Sequence, residues 1–390
     1  MKVLVVSDVS AETVLGGAER MLTNHIRALH KAGHQVTVLT RQPNEHAPLE
    51  IRLTGDIQEY RLPYHGDRGI SGLLQLSREA EQWWICHSSQ FDAVVSEQPF
   101  VIWALQKAGC DLPRLQVCYS FAFEEYLTRH AGRWNLIDRI AAFAMRRLEK
   151  NVYQSAGKLL VLSRYTERRM EEAFGLMSDR IVVSSGGVEM PELPSASRSD
   201  VRESLSWKGP VVMTLRNLVP RTGVDLLIEA AHLLKEDFPA LQWCVIGQGA
   251  LLQKLREQAV ELEVSDRIEF TGYLPEEEVK KRMYAADLFM LPTRDLEGFG
   301  LVTLEANSCG LPVVATPVTA NREVVPSLPL NLLSDDVSGE ALARAVHEML
   351  DEKKGEDEQS RLALQKAVES QYAWHHHDDA FVQSVEALVK

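Results

Sequence analysis

Two carboxylates flank a glycine-containing turn in the second half of the chain. Glu297 and Glu305 stand eight positions apart, and Gly298 and Gly300 lie between them. Glycine lets a ligand approach the backbone closely, and the free N–H groups of a first helical turn attract a diphosphate. If a helix begins near Gly300, Glu305 lies roughly 7 Å along its axis, within reach of a ribose attached to that diphosphate. The spacing indicates a nucleotide-sugar site, although the same pattern also occurs in ordinary strand-to-helix turns with a solvated glutamate.

The neighbouring residues predict the strand and the helix that this turn connects. Residues 287–293 form a mostly apolar run that ends at Pro292, which favours a buried strand. Residues 301–308 have helical spacing and stop at Gly310 and Pro312, a common way for a helix to end. The expected order is therefore strand, glycine turn and helix.

Each half of the chain also predicts a βαβ unit. In the first half, a strand at residues 1–7 leads through Gly16 and Gly17 to a helix and a second strand. In the second half, a strand at residues 211–215 is followed by a helix and by a strand near Leu241. Parallel strands bind ligands at their carboxyl ends. The dinucleotide fingerprint G-x-G-x-x-G is absent, which argues against an oxidoreductase.

The two glutamates, the segment 306–316 and Glu323 closely resemble the donor-site signature of the family 4 glycosyltransferases, which are retaining enzymes with the GT-B fold. The resemblance extends over nearly the whole chain. It implies an α/β protein with two Rossmann-like domains facing each other across a cleft. The expected parts are an acceptor-side domain at 1–190, a Pro- and Ser-rich linker at 191–209, a nucleotide-sugar-binding domain at 210–373, and a final helix at 374–390 that crosses back to the N-terminal domain.

The resemblance also implies which residues bind the donor. Glu297 is expected to orient the sugar hydroxyls, and Glu305 to accept hydrogen bonds from the ribose. In the family, the glycine pair of the N-terminal domain faces the donor phosphate and sugar. The implied donor-binding residues are Gly16, Gly17, Gly247, Gly249, Tyr273, Leu274, Gly298, Phe299, Gly300, Leu301, Val302 and Glu305.

The chain departs from the family at the cations expected to stabilise the leaving diphosphate. Relatives commonly supply an Arg and a Lys from the loop after the first strand of the C-terminal domain. With the register set by Gly223, Asn217 and Thr222 stand at those two positions. Arg216 and Arg221 are each displaced by one residue and are the candidates for this role.

A second departure lies in the N-terminal domain, where relatives often place a histidine close to the transferred sugar. Tyr119 or Ser120 stands at that point in this chain. Tyr119, Glu124 and Glu125 are candidates for contact with the acceptor or the sugar, and His130 is a further polar group nearby. These departures leave a second hypothesis open: a catalytically silent GT-B protein that binds a nucleotide sugar or a partner enzyme.

Composition narrows the class of protein. A net charge of −13 argues against nucleic-acid binding. Five cysteines without a C-x-x-C pair predict reduced thiols in or near the core of a cytoplasmic protein. No signal peptide and no apolar run near the roughly 20 residues of a membrane span are recognised.

Residues 130–150 form a basic and apolar stretch with two interpretations. Its arginines alternate with large apolar residues, as in an amphipathic helix that contacts an anionic bilayer at the inner membrane face. We favour the alternative, a domain helix that buries its apolar face and exposes its arginines.

A metal site is not expected. His375, His376 and His377 precede two aspartates but lack further ligands at typical spacing, and the chain has no Asp-x-Asp pair. Together with this, the resemblance implies a metal-independent hexosyltransferase without a cofactor. The donor that the resemblance implies is a UDP- or GDP-sugar, and the expected acceptor is a glycan, a lipid-linked glycan or a small molecule.

Overall fold

The computed structural model describes residues 1–12, 16–63, 70–129 and 136–390. They form two compact units. Unit 1 contains Met1–Gly186 together with His375–Lys390, and unit 2 contains Gly187–Trp374.

The strands of both units are short and mostly apolar. In chain order they are β1 (Lys2–Val6), β2 (Gln35–Arg41), β3 (Glu50–Arg52), β4 (Gln58–Leu62), β5 (Ala93–Ser96), β6 (Arg114–Cys118), β7 (Lys158–Val161), β8 (Ile181–Val183), β9 (Val211–Leu215), β10 (Gln242–Ile246), β11 (Ile268–Gly272), β12 (Leu288–Leu291), β13 (Val313–Ala315) and β14 (Leu332–Leu333).

The helices connect these strands. In chain order they are α1 (Gly17–Lys31), α2 (Ile70–His87), α3 (Pro99–Lys107), α4 (Ala122–Arg129), α5 (Leu136–Gln154), α6 (Arg164–Phe174), α7 (Arg198–Ser204), α8 (Val224–Leu233), α9 (Leu252–Glu261), α10 (Glu276–Ala285), α11 (Leu301–Ser308), α12 (Asn321–Val324), α13 (Gly339–Asp351), α14 (Glu358–Tyr372) and α15 (Trp374–Glu386). None of the helices in the described ranges is long and apolar enough to cross a bilayer.

The sheet of unit 1 has the order β3-β4-β2-β1-β5-β6-β7-β8 over the described residues. Its strand pairs are parallel except for β3 with β4. The central strand β1 is fully buried from Val3 to Val6, as expected for a parallel strand covered by helices on both faces.

The sheet of unit 2 has the order β11-β10-β9-β12-β13-β14, and its strand pairs are parallel. After β9 the chain adds β10 and β11 on one side of this strand, and then returns to place β12 on the other side. The strand order therefore reverses between β9 and β12. In open parallel sheets, ligands bind outside the carboxyl ends of the strands at such a switch point.

Unit 2 begins before the sequence-based boundaries at 190 and 209, whereas its end at Trp374 lies one residue from the expected boundary at 373. Gly187 already belongs to unit 2, as does α7, which falls inside the predicted linker 191–209. Arg198 and Arg202 of α7 both pair with Asp287, at 2.6 Å and 2.9 Å, directly before β12. These ion pairs fasten the second part of the expected linker to the sheet of unit 2.

The cysteines agree only in part with the prediction of core or near-core thiols. Cys118, Cys244 and Cys309 are buried, Cys110 is half-buried, and all are free thiols. Burial raises the pKa of Cys244 and of Cys309 to about 12. Cys86 is exposed on α2, so the prediction is wrong for this residue.

The helix α5 corrects our preferred interpretation of residues 130–150. Leu136, Ile137, Ile140 and Phe143 are exposed, although we expected them to form the buried face. The inner side of α5 consists instead of Asp138, Ala142, Leu148, Glu149, Val152 and Tyr153. Residues 130–135, including His130, lie outside the described residues.

One histidine of the tract, His377, is part of the core of unit 1, whereas His375 and His376 are exposed. His377 on α15 is 1% exposed, and its Nε2 lies 2.8 Å from Nε2 of His25 on α1. Its Nδ1 lies 3.0 Å from both Ser184 Oγ and the Ser185 carbonyl oxygen. In the described ranges, no group of three or more His, Cys, Asp or Glu side chains could hold a metal ion. His377 therefore anchors α15 within unit 1.

This anchor predicts a loss of stability in acid. Burial, and secondarily repulsion by His25, lowers the pKa of His377 from 6.5 to about 3. The folded pKa lies below the unfolded value, so the unfolded chain binds the proton more readily and stability is lost as the pH falls below 6.5 toward about 3. When the pH is lowered from about 7.5 to about 5, protonation of His377 in the unfolded chain should reduce the free energy of unfolding by roughly 2 kcal/mol.

The measurement is the pH dependence of the denaturation midpoint in wild type, His377→Asn and the matched control His376→Asn, whose histidine is exposed. We expect a shallower acid dependence in His377→Asn alone. Equal slopes in all three proteins would contradict the assignment.

Candidate functional site

An ion pair joins the loops that follow β9 and β12 in unit 2. Arg216 follows β9 directly, and its Nη2 donates to Glu297 Oε2 at 2.8 Å and to Thr293 Oγ1 at 3.0 Å. The Thr293 hydroxyl also donates to Glu297 Oε2, at 2.9 Å. The Arg216 and Glu297 side chains are only 9% and 12% exposed. A partly desolvated charge pair therefore stands at the switch point of the sheet.

The helix α11 begins beside this pair. Gly300 precedes it with φ 85° and ψ 46°, a left-handed conformation that glycine adopts without strain. The predicted start of the helix near Gly300 is thus confirmed. No side chain among the described residues caps this end. The Thr303 N–H donates to the Gly300 carbonyl oxygen at 2.8 Å, and the N–H groups of Leu301 and Val302 before it are the ones that face an anion.

Two buried polar atoms lie next to Gly300. A Cβ atom built at Gly300 would lie 3.5 Å from both Thr303 Oγ1 and Asn321 Oδ1. Both residues are 0% exposed, and neither atom has a hydrogen-bond partner within the described parts of the chain, nor has Arg216 Nε. Buried polar atoms are nearly always paired with protein, water or ligand. Thr303 Oγ1 and Asn321 Oδ1 beside Gly300 are therefore suited to hydrogen-bond a small polar group of a ligand, or a water molecule.

Sequence reasoning missed Thr303 and Asn321. Both are common polar residues in or beside a helix, and nothing in their spacing distinguishes them. Only their burial without a partner marks them, and that is a property of the folded chain.

Close glycine contacts position the loop that carries Arg216 and Arg221. A Cβ atom at Gly247 would lie 1.9 Å from the Arg216 carbonyl oxygen, and one at Gly249 would lie 2.3 Å from that of Leu218. At Gly223, with φ 69°, a Cβ atom would lie 1.8 Å from the Pro292 carbonyl oxygen. The backbones after β9, β10 and β12 thus approach each other more closely than any side chain permits. A donor contact of Gly247 and Gly249 stays a prediction.

Thr222, at one of the usual cation positions, and its neighbour Arg221 both donate hydrogen bonds to backbone carbonyl oxygens. Thr222 is buried, and its hydroxyl donates to the Asn217 carbonyl oxygen at 2.7 Å, so it holds the loop together. Arg221 Nη1 donates to the Leu296 carbonyl oxygen at 3.1 Å, next to Glu297. Leu296 has φ 58°, which is strained for leucine. The structure thus brings Arg216, Arg221 and Glu297 into connected loops.

The other predicted donor residues of unit 2 differ in exposure. Glu305 is half-buried on α11, as are Leu301 and Val302. Phe299 is buried, with its ring centroid 6.2 Å from that of Tyr372. Gly298 is half-buried in the turn. Tyr273 is 65% exposed after β11, and Leu274 packs against an apolar cluster of unit 2.

In unit 1, Gly16 precedes α1 and Gly17 is its first residue. The hydroxyl of Tyr119, directly after β6, donates to the carboxylate of Glu97, which follows β5. Burial raises the pKa of Tyr119 well above its usual range. Glu97 was not predicted, because a single glutamate after a strand carries no pattern; its Oε1 lies 2.8 Å from His25 Nδ1.

Glu124 and Glu125 both have protein partners. Arg169 donates to Glu124, and the Ser120 hydroxyl donates to Glu125 Oε1 at 2.5 Å. Contact of either glutamate, or of Tyr119, with an acceptor stays a prediction.

Two family models match the chain. The model described as Glycosyltransferase Family 4 matches residues 15–190, and the model described as Glycosyl transferases group 1 matches residues 197–368. The chain belongs to the family 4 glycosyltransferases. The resemblance inferred from the donor signature is thereby confirmed.

A curated relative of this family 4 glycosyltransferase is the GDP-mannose-dependent alpha-(1-6)-phosphatidylinositol monomannoside mannosyltransferase of Mycolicibacterium smegmatis. It is 32% identical over 231 residues, which are 57% of this chain and 59% of the relative. The chain matches less than two thirds of the length of such curated relatives.

Solved structures share the fold. Sucrose-phosphate synthase from Thermosynechococcus elongatus superposes with a TM-score of 0.85 at 19% identity, covering 100% of this chain and 99% of that one. The Anabaena protein HepE in complex with UDP-glucose superposes with a TM-score of 0.76 at 16% identity, covering 99% of this chain and 100% of that one. The predicted GT-B fold of two Rossmann-like units is confirmed.

The close approach at Gly223 can be tested against a glycine of matched conformation. Gly175 has φ 66°, and a Cβ atom built there would have no atom of the described structure within 4 Å. Gly223 has φ 69°, but a Cβ atom there would collide with the Pro292 carbonyl oxygen. Gly175→Ala should cost only the left-handed strain of about 1 kcal/mol. Gly223→Ala should lower the thermal midpoint further and weaken binding of UDP and GDP, because the loop carrying Arg216 must move. Equal effects of the two substitutions on both measurements would refute a special role of this contact.

Proposed function

We propose that the chain is a retaining, metal-independent glycosyltransferase that moves a hexosyl unit from a nucleoside diphosphate sugar to a glycan, lipid-linked or small-molecule acceptor. The observation that carries this proposal is the Arg216–Glu297 pair at the switch point of the unit 2 sheet. It lies beside the start of α11, which no described side chain caps.

Fixed positive charge supports departure of the diphosphate. Charge develops on this leaving group as its bond to the sugar breaks, and preorganised donors aimed at that charge lower the barrier. Arg216, Arg221 and the first amides of α11 belong to connected loops of unit 2. These groups supply the positive charge without a divalent ion.

Glu297 can hold the sugar while it stays paired with Arg216. Both of its described side-chain hydrogen bonds, from Arg216 and from Thr293, end on Oε2. We assign Oε1 to the sugar hydroxyls. Glu305, about one turn after the start of α11, accepts hydrogen bonds from the ribose. The base lies near Tyr273 and Leu274 at the end of β11.

The acceptor proton passes to the leaving phosphate. In a retaining transfer the bond from the acceptor oxygen to the sugar forms on the face from which the phosphate departs, so a phosphate oxygen is close to the acceptor hydroxyl. Tyr119 is a poor base, since its hydroxyl donates to Glu97 and its pKa is raised well above the usual range. This observation supports proton removal by the phosphate itself.

The first experiment is a donor panel in the presence of a chelator, which also tests metal independence. GDP-mannose and UDP-glucose are included because they occur in the names of a relative and of a solved complex; UDP-galactose and UDP-N-acetylglucosamine complete the panel. Thermal stabilisation together with slow nucleotide release from one donor is expected. Stabilisation without release, even with candidate acceptors, would favour the catalytically silent binding protein. Inversion at the anomeric carbon of a product would refute the retaining assignment.

The two glutamates should separate binding from turnover. Glu305→Gln should weaken nucleotide binding, since it contacts the ribose. Glu297→Gln should leave nucleotide affinity unchanged or tighter, because Arg216 loses its counter-charge, while kcat falls by a factor on the order of 10².

The matched control is Arg294→Gln in the same loop, since Arg294 pairs with Asp225 at an exposed site and has no assigned role. Calorimetry with UDP and GDP gives the affinities, and product formation gives kcat. Parallel losses of affinity and kcat in both glutamate variants would contradict this division of roles.

A further inference from the structure

The outer face of α5 exposes large apolar side chains. Leu136 is 72% exposed, Ile137 74%, Ile140 59% and Phe143 68%. With about 100° between successive helical residues, these four positions cluster on one side of the first two turns. Arg147 falls on the same side in the following turn and is also exposed. The outer face of α5 is thus apolar in its first two turns and basic in the turn that follows.

The charges of α5 are sorted between its two sides. The exposed charged residues, Arg139, Arg146, Arg147 and Lys150, are all basic. Its two acidic residues, Asp138 and Glu149, are buried on the opposite side. In a chain of net charge −13, the outer face of α5 is therefore a local concentration of positive charge.

Contacts of the inner side fix this orientation. Glu149 accepts from the backbone N–H groups of Ala122 and Phe123 at 2.8 Å and 3.0 Å, at the start of α4. Asp138 accepts from the hydroxyl of Tyr126 at 3.0 Å. Turning the helix to bury its apolar face would break these bonds and leave the N-terminal amides of α4 unsatisfied. The exposure is built into the packing of unit 1.

We infer that the outer face of α5, formed by Leu136, Ile137, Ile140, Phe143, Arg139, Arg147 and Lys150, is a docking surface for an anionic lipid bilayer. Apolar side chains beside a basic cluster suit the boundary between acyl chains and anionic headgroups. A second copy of the chain fits less well, because pairing this face with itself would bring the basic groups of both copies together. The inference does not depend on the proposed transferase reaction.

The test is co-sedimentation of the full chain with vesicles of phosphatidylcholine, with and without phosphatidylglycerol. Wild type should bind the anionic vesicles, more weakly at high salt, and should bind neutral vesicles little. Ile137→Ser/Ile140→Ser/Phe143→Ser should abolish this binding. Arg139→Gln/Arg147→Gln/Lys150→Gln should weaken it by a factor on the order of 100, since each basic residue near an anionic surface contributes about five-fold.

The matched control is Ile85→Ser/Arg78→Gln on α2, where Ile85 is 72% exposed and Arg78 is also exposed. It should bind anionic vesicles like wild type. All substituted residues are exposed, so thermal midpoints should stay near the wild-type value. Unchanged vesicle binding by the apolar variant, or no binding by wild type, would overturn the inference. A dimeric wild type that becomes monomeric in the apolar variant would also overturn the inference, since a second copy of the chain would then cover the face. The assay contains no nucleotide sugar, so its failure leaves the proposed transferase reaction untouched.

Discussion

Arg216 and Glu297 stand 81 positions apart in the chain, yet their side chains share a hydrogen bond because β9 and β12 are neighbours in one sheet. The two side chains are largely shielded from water. Removing one partner of a buried ion pair lowers the folding stability by roughly 3–5 kcal/mol, because the other charge is left unpaired. The glycines at 223, 247 and 249 allow the surrounding backbones to approach closely enough to hold the pair. The candidate donor site thus depends on a parallel sheet whose strand order reverses between these two strands.

Much of this site could be predicted from the sequence, because its signals are local. The apolar run before Pro292, the glycine turn and the helical spacing after Gly300 together predicted β12, the turn and α11. Arg216 and Arg221 emerged only from the register set by Gly223. Thr303 and Asn321 could not be found, since a buried atom without a partner is visible only after distant segments have packed together.

The differences between sequence and structure share one physical cause, which is that composition does not reveal tertiary contacts. The Ser-rich segment predicted as a linker contains Ser197, whose hydroxyl accepts from the Asp200 N–H and caps α7. In α5 the apolar stripe was recognised, but the side facing the core is held by Asp138 and Glu149. His377 likewise stood in a tract considered only as a possible metal site, although it packs against His25 in the core.

The most direct test of the donor site is an NMR titration of the chain with glycine selectively labelled with ¹⁵N, adding GDP and UDP in the presence of a chelator. The account predicts large shifts of the amide resonances of Gly298 and Gly300, assigned through Gly→Ala variants, and little change at Gly175 in unit 1. Saturable nucleotide binding that leaves Gly298 and Gly300 unshifted would contradict a diphosphate site at the start of α11.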